Sequence, residues 1–257
     1  MVGVRKEPRL FLFKLVHATI GLMPVLPPFL IFDMDDTLLD YSGSGHQCWQ
    51  ELFLEYAPRF DVSFEQLATA HQVVSNAYWS DAERHRAGRL DLKSARRQVL
   101  RLTLEELGLN CFGLGDEMAD AFTLRREPLI CPFPGAIETL EELHCRGIRM
   151  GLVTNGNGEF QRNKIHRFDL NQYFETIIIE GEFGVGKPDR RVFLSALQQL
   201  GAMPAQTWMI GDDLVRDLQP AQQLGLGTVW VDVENTGLPT SSPIVPMLTV
   251  HSVAGLI

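Results

Sequence analysis

The chain has no paired cysteines, no basic excess and no unbroken apolar run of membrane length. Each absence removes a class of function. Its four cysteines, Cys48, Cys111, Cys131 and Cys145, form no C-x-x-C pair. That argues against a zinc site or a disulfide framework and favours a reducing, cytoplasmic compartment. Asp and Glu number 32 against 23 Lys and Arg, a formal net charge of -9, so nucleic acid is not an expected partner. The apolar stretch 15–26 follows Arg5, Lys6, Arg9 and Lys14 but is interrupted by His17 and Pro24. It is too short for a membrane span and shows no clear cleavage site. Residues 1–28 are read as an extension ahead of the first strand, with Met23 as an alternative start. No internal repeat or low-complexity tract is present.

What is present centres on Phe29-Leu30-Ile31-Phe32-Asp33-Met34-Asp35-Asp36-Thr37. Four apolar residues without polar alternation predict a fully buried strand. Asp33 and Asp35 follow at its carboxyl end, where open α/β sheets bind ligands. Two carboxylates one residue apart repel each other, and a hard divalent cation such as Mg2+ would offset them. An acidic turn is the plainer alternative.

Residues 41–131 carry helical spacing and no convincing strand. Trp49, Leu52, Phe53 and Tyr56 form one stripe, Leu67, Ala70, Val74 and Ala77 a second, and Leu92, Ala95, Val99, Leu102 and Leu107 a third. A fourth helix is expected over 116–126. After Pro132-Phe133-Pro134-Gly135, strands expected at 148–153, 176–179, 208–210 and 228–231 alternate with helices at 136–145, 160–168, 191–200 and 217–224. Loop fills 234–246, and 248–250 adds an edge strand. This alternation predicts an α/β fold, a doubly wound parallel sheet of Rossmann-like form. The core takes 29–40 and 132–257, and 41–131 is an inserted helical domain, tethered by a flexible linker at 41–45 and a stiff one at 131–135.

Three further groups fall at strand ends. Thr154-Asn155-Gly156 can bind phosphate oxygens through side chain and backbone, or it is an ordinary strand-to-helix turn. Lys187, in Gly184-Val185-Gly186-Lys187-Pro188, can screen anionic oxygens, or it is an exposed loop lysine. Asp212, Asp213 and Asp217 can complete a Mg2+ site, although Asp217 equally suits a helix N-cap.

In this order, the four groups resemble the haloacid dehalogenase-like hydrolase superfamily from about Phe29 to Val233, in its subfamily with a helical cap between the first two motifs. The second half is similar to the N-acylneuraminate-9-phosphatase family of phosphatases, through Leu152-Val153-Thr154-Asn155-Gly156, Gly186-Lys187-Pro188 and Met209-Ile210-Gly211-Asp212. The resemblance implies Asp33 as nucleophile and Asp35 as general acid and base. It implies Mg2+ on the Asp33 carboxylate, the Asp35 carbonyl and Asp212, with Asp213 or Asp217 supporting. Thr154, Asn155 and Lys187 would hold the phosphoryl group. An acidic Asp35 fits a leaving oxygen that needs a proton and a small phosphomonoester as substrate. A phosphosugar mutase, a 2-haloacid dehalogenase and a non-catalytic binding module are the alternatives. Substrate selection is expected from the cap, with the basic stretch Arg84, His85, Arg86 and Arg89 as candidate, beside Arg96 and Arg97.

Overall fold

A computed structural model describes residues 25–257; the readings of the extension at 1–24 lie outside the described residues. Six strands form one parallel sheet: β1 (Phe29–Phe32), β2 (Arg149–Thr154), β3 (Thr176–Ile179), β4 (Thr207–Gly211), β5 (Gly227–Val231) and β6 (Leu248–Val250), in the order β3-β2-β1-β4-β5-β6. β1 lies between β2 and β4 with Phe32 opposite Leu152 and Ile210. Leu30, Ile31 and Phe32 are fully buried, as an apolar run without alternation requires when both faces are covered.

Alternate residues of the strands feed two cores. Leu30, Phe32, Leu152 and Ile210 pack with Leu140, Leu143 and Ile165, from α6 (Ala136–Cys145) and α7 (Gly158–Arg167). Ile31, Val153 and Met209 pack with Phe193, Ala196, Leu200 and Ala221, from α9 (Arg190–Leu200) and α10 (Gln219–Gln223). A short turn, α8 (Glu180–Phe183), follows β3. The chain leaves β1 toward β2 on one side and later returns to β4 on the other. The carboxyl ends of β1 and β4 therefore meet at the topological switch point.

The insert contains five helices: α1 (Ser42–Tyr56), α2 (Phe64–Ser80), α3 (Ala82–Leu90), α4 (Leu92–Glu106) and α5 (Phe112–Arg126). Leu52, Phe53, Leu67, Leu100, Leu104, Met118 and Phe122 give it a core of its own. Two adjacent crossings join it to the sheet: Asp40 N–H donates to the Cys131 carbonyl and Phe133 N–H to that of Leu38.

Two expectations change. Residues 41–45, with two glycines, suggested a flexible linker, but α1 already starts at Ser42. The Asp36 carboxylate accepts from the backbone N–H groups of Tyr41 and Ser42 and from the Ser42 hydroxyl, which satisfies donors a helix start leaves open. The helix expected to begin at Asp217 begins earlier. Asp213 is the N-cap, accepting from Val215 and Arg216 N–H, and a wide turn over Leu214–Leu218 precedes α10. Among the described residues no helix is long and apolar enough to cross a membrane.

Candidate active site

Asp33 N–H donates to the Ile210 carbonyl at 2.9 Å, which extends the β1–β4 ladder and leaves Asp33 beside the end of β4. Its Oδ1 lies 2.6 Å from Lys187 Nζ, which also lies 2.7 Å from Asp217 Oδ1. Lys187 and Asp217 are almost fully buried. Burial alone would pull the lysine pKa down, but Asp217 and Asp33 more than reverse this and hold the ammonium charged. Burial pushes the Asp217 carboxyl up to about 7; Lys187 opposes the shift and Asp33 adds to it. Burial, then Asp217 and Asp33, also raise Asp212.

Asp33, Asp212 and Asp217 each offer an oxygen within 4.8 Å of the others. Asp212 is steadied by Thr37, whose hydroxyl donates to its Oδ1 at 3.3 Å, and by Trp230, whose indole N–H donates to its carbonyl at 2.8 Å. One lysine does not neutralise three carboxylates, and oxygen-only donors suit a hard divalent cation. The donor set therefore fits Mg2+. The carboxylates of the other two expected metal residues have other partners, which bears on Asp213 but not on Asp35, whose expected contact is its backbone carbonyl. Asp213 caps its helix and pairs with Arg216 at 2.6 Å. Asp35 accepts from Lys164 Nζ at 2.5 and 2.6 Å and from Gln161 Nε2 at 2.9 Å.

Of the three residues expected at the phosphoryl group, Lys187 is aimed at Asp33. Thr154 Oγ1 accepts from Gln161 Nε2 at 2.7 Å. Asn155 does something else: its Nδ2 donates to the Lys187 carbonyl at 2.8 Å and its Oδ1 accepts from Lys187 N–H at 2.7 Å. The amide thus clamps the lysine's own peptide. Glycine is required nearby, because a Cβ at Gly186 would lie 2.5 Å from Asn155 Oδ1 and from Glu180 Cδ. At Gly211 it would lie 2.3 Å from Asp217 Oδ2.

Asp33, Asp35, Thr154, Asn155, Lys187, Asp212, Asp213 and Asp217 all open on one cavity of about 480 Å³. The insert covers it with Trp79, His85, Arg89, Arg96 and Arg126. The basic stretch expected to select substrate is divided by this geometry. Arg84 and Arg86 are exposed and off the cavity wall. Arg89 reaches across to Glu180, with Nε and Nη2 both at 2.6 Å from its oxygens. Glu180 also accepts from Gly156 N–H at 3.0 Å, tying the insert to the Thr154 loop. Asn157 Nδ2 donates to the Leu90 carbonyl at 3.0 Å. His85 lies 2.9 Å from guanidinium nitrogens of both Arg89 and Arg216. Burial, then Arg216 and Arg89, lower its pKa, and a neutral imidazole accepts at one nitrogen only.

Sequence reading missed Gln161, Lys164, Glu180 and Arg126. They lie in no motif. The available signal was weak: Gln161 and Lys164 stand three apart on the face of α7 that also buries Ile165, where an apolar stripe would be expected.

The family model for haloacid dehalogenase-like hydrolases matches residues 29–225. The chain is 32% identical over 226 residues to a phosphoserine phosphatase of Thermus thermophilus, covering 79% of this chain and 88% of that one. It is 38% identical over 209 residues to a glyceraldehyde 3-phosphate phosphatase of Pyrococcus furiosus, covering 78% and 79%. The solved structure of the HAD-hydrolase YfnB from Bacillus subtilis, bound to magnesium, superposes with a TM-score of 0.70 at 21% identity, over 90% of this chain and 97% of that one. Sheet order, strand-end acids and the match across most of the chain agree: the protein belongs to the haloacid dehalogenase-like hydrolases.

Proposed function

We propose that the protein is a Mg2+-dependent phosphatase that hydrolyses a small phosphomonoester through an aspartyl-phosphate on Asp33. The observation that carries this reading is the buried set of Asp33, Asp212 and Asp217 around Lys187 at the switch point, open to a covered cavity. Relatives named phosphoserine phosphatase and glyceraldehyde 3-phosphate phosphatase support the substrate class.

The Asp33 carboxylate attacks phosphorus, and the ester oxygen leaves. Water then attacks the phosphoaspartate and regenerates Asp33, so a difficult hydrolysis becomes two displacements. Asp35, hydrogen-bonded to Lys164, gives the leaving oxygen its proton and later takes one from water. Thr154 and Lys187 hold phosphoryl oxygens, and Asn155 fixes the Lys187 peptide. The Asp33 carboxylate, the Asp35 carbonyl and Asp212 would hold Mg2+, with Asp217 supporting; the metal would supply charge neutralisation between two anionic reactants. The helical insert acts as a cap that excludes water. A halide leaving group needs no proton, so the Asp35–Lys164–Gln161 arrangement favours an ester over a haloacid.

The test is phosphate release from a panel of phosphomonoesters, with Mg2+ and after its removal by EDTA. Turnover should require the metal and vanish in a folded Asp33→Asn variant. Full activity in EDTA, or in Asp33→Asn, removes the scheme.

A further inference from the structure

Six cations line the cavity, and four have carboxylate partners. Lys187 has Asp33 and Asp217, Lys164 has Asp35, Arg89 has Glu180, and Arg216 has Asp213. Among the described residues, Arg96 and Arg126 have none, and both belong to the insert's wall. Arg96 Nη1 donates to the neutral Thr123 hydroxyl at 3.0 Å, the guanidinium stands over the Phe122 ring at 4.9 Å, and the neutral Tyr41 hydroxyl is its other polar neighbour. Arg126 is 8% exposed. Its guanidinium lies 3.5 Å from the centre of the Tyr41 ring and donates to the Tyr41 carbonyl, while its buried Nε has no partner. The exposed Glu127 on the same wall makes no ion pair with either.

Packing explains only part of this. Cation–π contact and neutral acceptors do not compensate a buried guanidinium, Arg126, beside a half-buried one, Arg96. Burial pulls the Arg96 pKa down; Tyr41 opposes that and Arg126 adds to it. Arg126 also anchors the Tyr41 carbonyl, a contact that calls for a donor but not for a charge without a counter-ion. A guanidinium fork matches a planar or tetrahedral oxyanion. The phosphoryl group would occupy the opposite wall, at Asp33 and Lys187.

We propose that Arg96 and Arg126 form a second anion subsite, and that the preferred substrate is a phosphomonoester carrying a further oxyanion, a carboxylate or a second phosphate. This deepens the phosphatase reading and rests on it for the word substrate. It also moves specificity from the Arg84–Arg89 stretch to side chains far apart in sequence.

The experiment compares kcat/KM within matched pairs of esters. Phosphoserine against phosphoethanolamine reads a carboxylate; fructose 1,6-bisphosphate against fructose 6-phosphate reads a second phosphate. One charge-assisted contact corresponds to roughly a ten- to hundredfold preference, expected for one class at least. Because the ratio is read within each protein, general losses cancel. In Arg96→Met it should fall toward one, and Arg96→Lys should keep part of it; circular dichroism and melting confirm that both fold. Parent ratios near one in both classes, with turnover intact, overturn the subsite and leave the phosphatase standing. So does a ratio that survives Arg96→Met. A second arm needs no turnover: calorimetric binding of 3-phosphonopropionate against propylphosphonate. If no ester is hydrolysed but the carboxylate-bearing probe binds tighter and Arg96→Met erases the difference, the subsite stands and the phosphatase reading falls. If neither hydrolysis nor that preference is seen, both fall.

Discussion

Replacing Arg89 by leucine leaves the Glu180 carboxylate buried with only the Gly156 N–H as partner. The Glu180 side chain is 3% exposed and that of Arg89 18%, and the pair is bidentate with both contacts at 2.6 Å. Breaking one half of such a pair costs about 3–5 kcal/mol. An exposed ion pair is worth only about 0.2–1 kcal/mol. The gap between these ranges makes the pair a gauge of closure, because Glu180 is desolvated only while the insert lies against the core. The measurement is a double-mutant cycle in urea: parent, Arg89→Leu, Glu180→Gln and both together. Arg89→Leu alone should destabilise by about 3 kcal/mol, and the double variant should recover most of that loss because no charge is left stranded. A coupling energy below about 1 kcal/mol would mean that the insert stands open in solution, with Glu180 hydrated, and the latch reasoning would be wrong. In the enzyme, loss of the latch should raise KM more than it lowers kcat, because it acts on closure and not on the reacting atoms.

Three other outcomes follow from the geometry. Asp35→Asn should slow alkyl phosphates far more than p-nitrophenyl phosphate, whose leaving group needs no proton; equal losses on both would count against the acid–base role. Gly186→Ala forces a methyl group to 2.5 Å from Asn155 Oδ1, so we expect about 1–3 kcal/mol of destabilisation in melts and a loss of turnover as Lys187 shifts; an unchanged melting temperature and rate would refute the packing. His71 lies 4.3 Å from the Trp49 ring and 5.1 Å from the Phe53 ring, with Nε2 unpartnered, and burial pushes its pKa from 6.5 down to about 4. The unfolded chain therefore binds the extra proton first: stability from this site is complete above pH 6.5 and lost as pH falls toward 4. Linkage puts the loss at about 2 kcal/mol by pH 5, read as the change in unfolding free energy between pH 7 and pH 5. His71→Met should flatten that slope, and an identical slope in the variant would assign it to other groups.

Much of the architecture was legible because it is written locally. An apolar run without alternation must be buried on both faces, so β1 and β4 could be placed, and acids directly after them had to lie at the sheet's carboxyl edge. Asp33 and Asp212 follow from that rule; Thr154 is the last residue of β2, whereas Lys187 lies beyond β3 and α8 and meets Asp33 only in the folded chain. Helix spacing likewise marked the insert, because its stripes repeat at the period of its own core.

The remainder depended on partners far apart in sequence. Asp213 and Asp217 are chemically alike, four residues apart, and each can cap a helix or join a cation site; only packing against Gly211 and Lys187 put Asp217 in the cluster and left Asp213 as the cap. Asn155 looks like a phosphate ligand until Lys187 returns beside it and takes both ends of its amide. Lys164 meets Asp35 across 129 positions and Arg89 meets Glu180 across 91. The cationic wall was the least legible feature. The sequence displays arginines as densely at 84–89 as at 96–101, and charge density marks a solvated face as readily as a site. Arg96 and Arg126 each adjoin another arginine, Arg97 and Arg125, that pairs with an acid away from the cavity, and the pairing of their helices around Phe122 is what turns Arg96 and Arg126 toward the same cavity. Strand-end chemistry is set by nearest neighbours along the chain, whereas the wall opposite it is set by which helices pack together, and that is decided only when the insert's core forms.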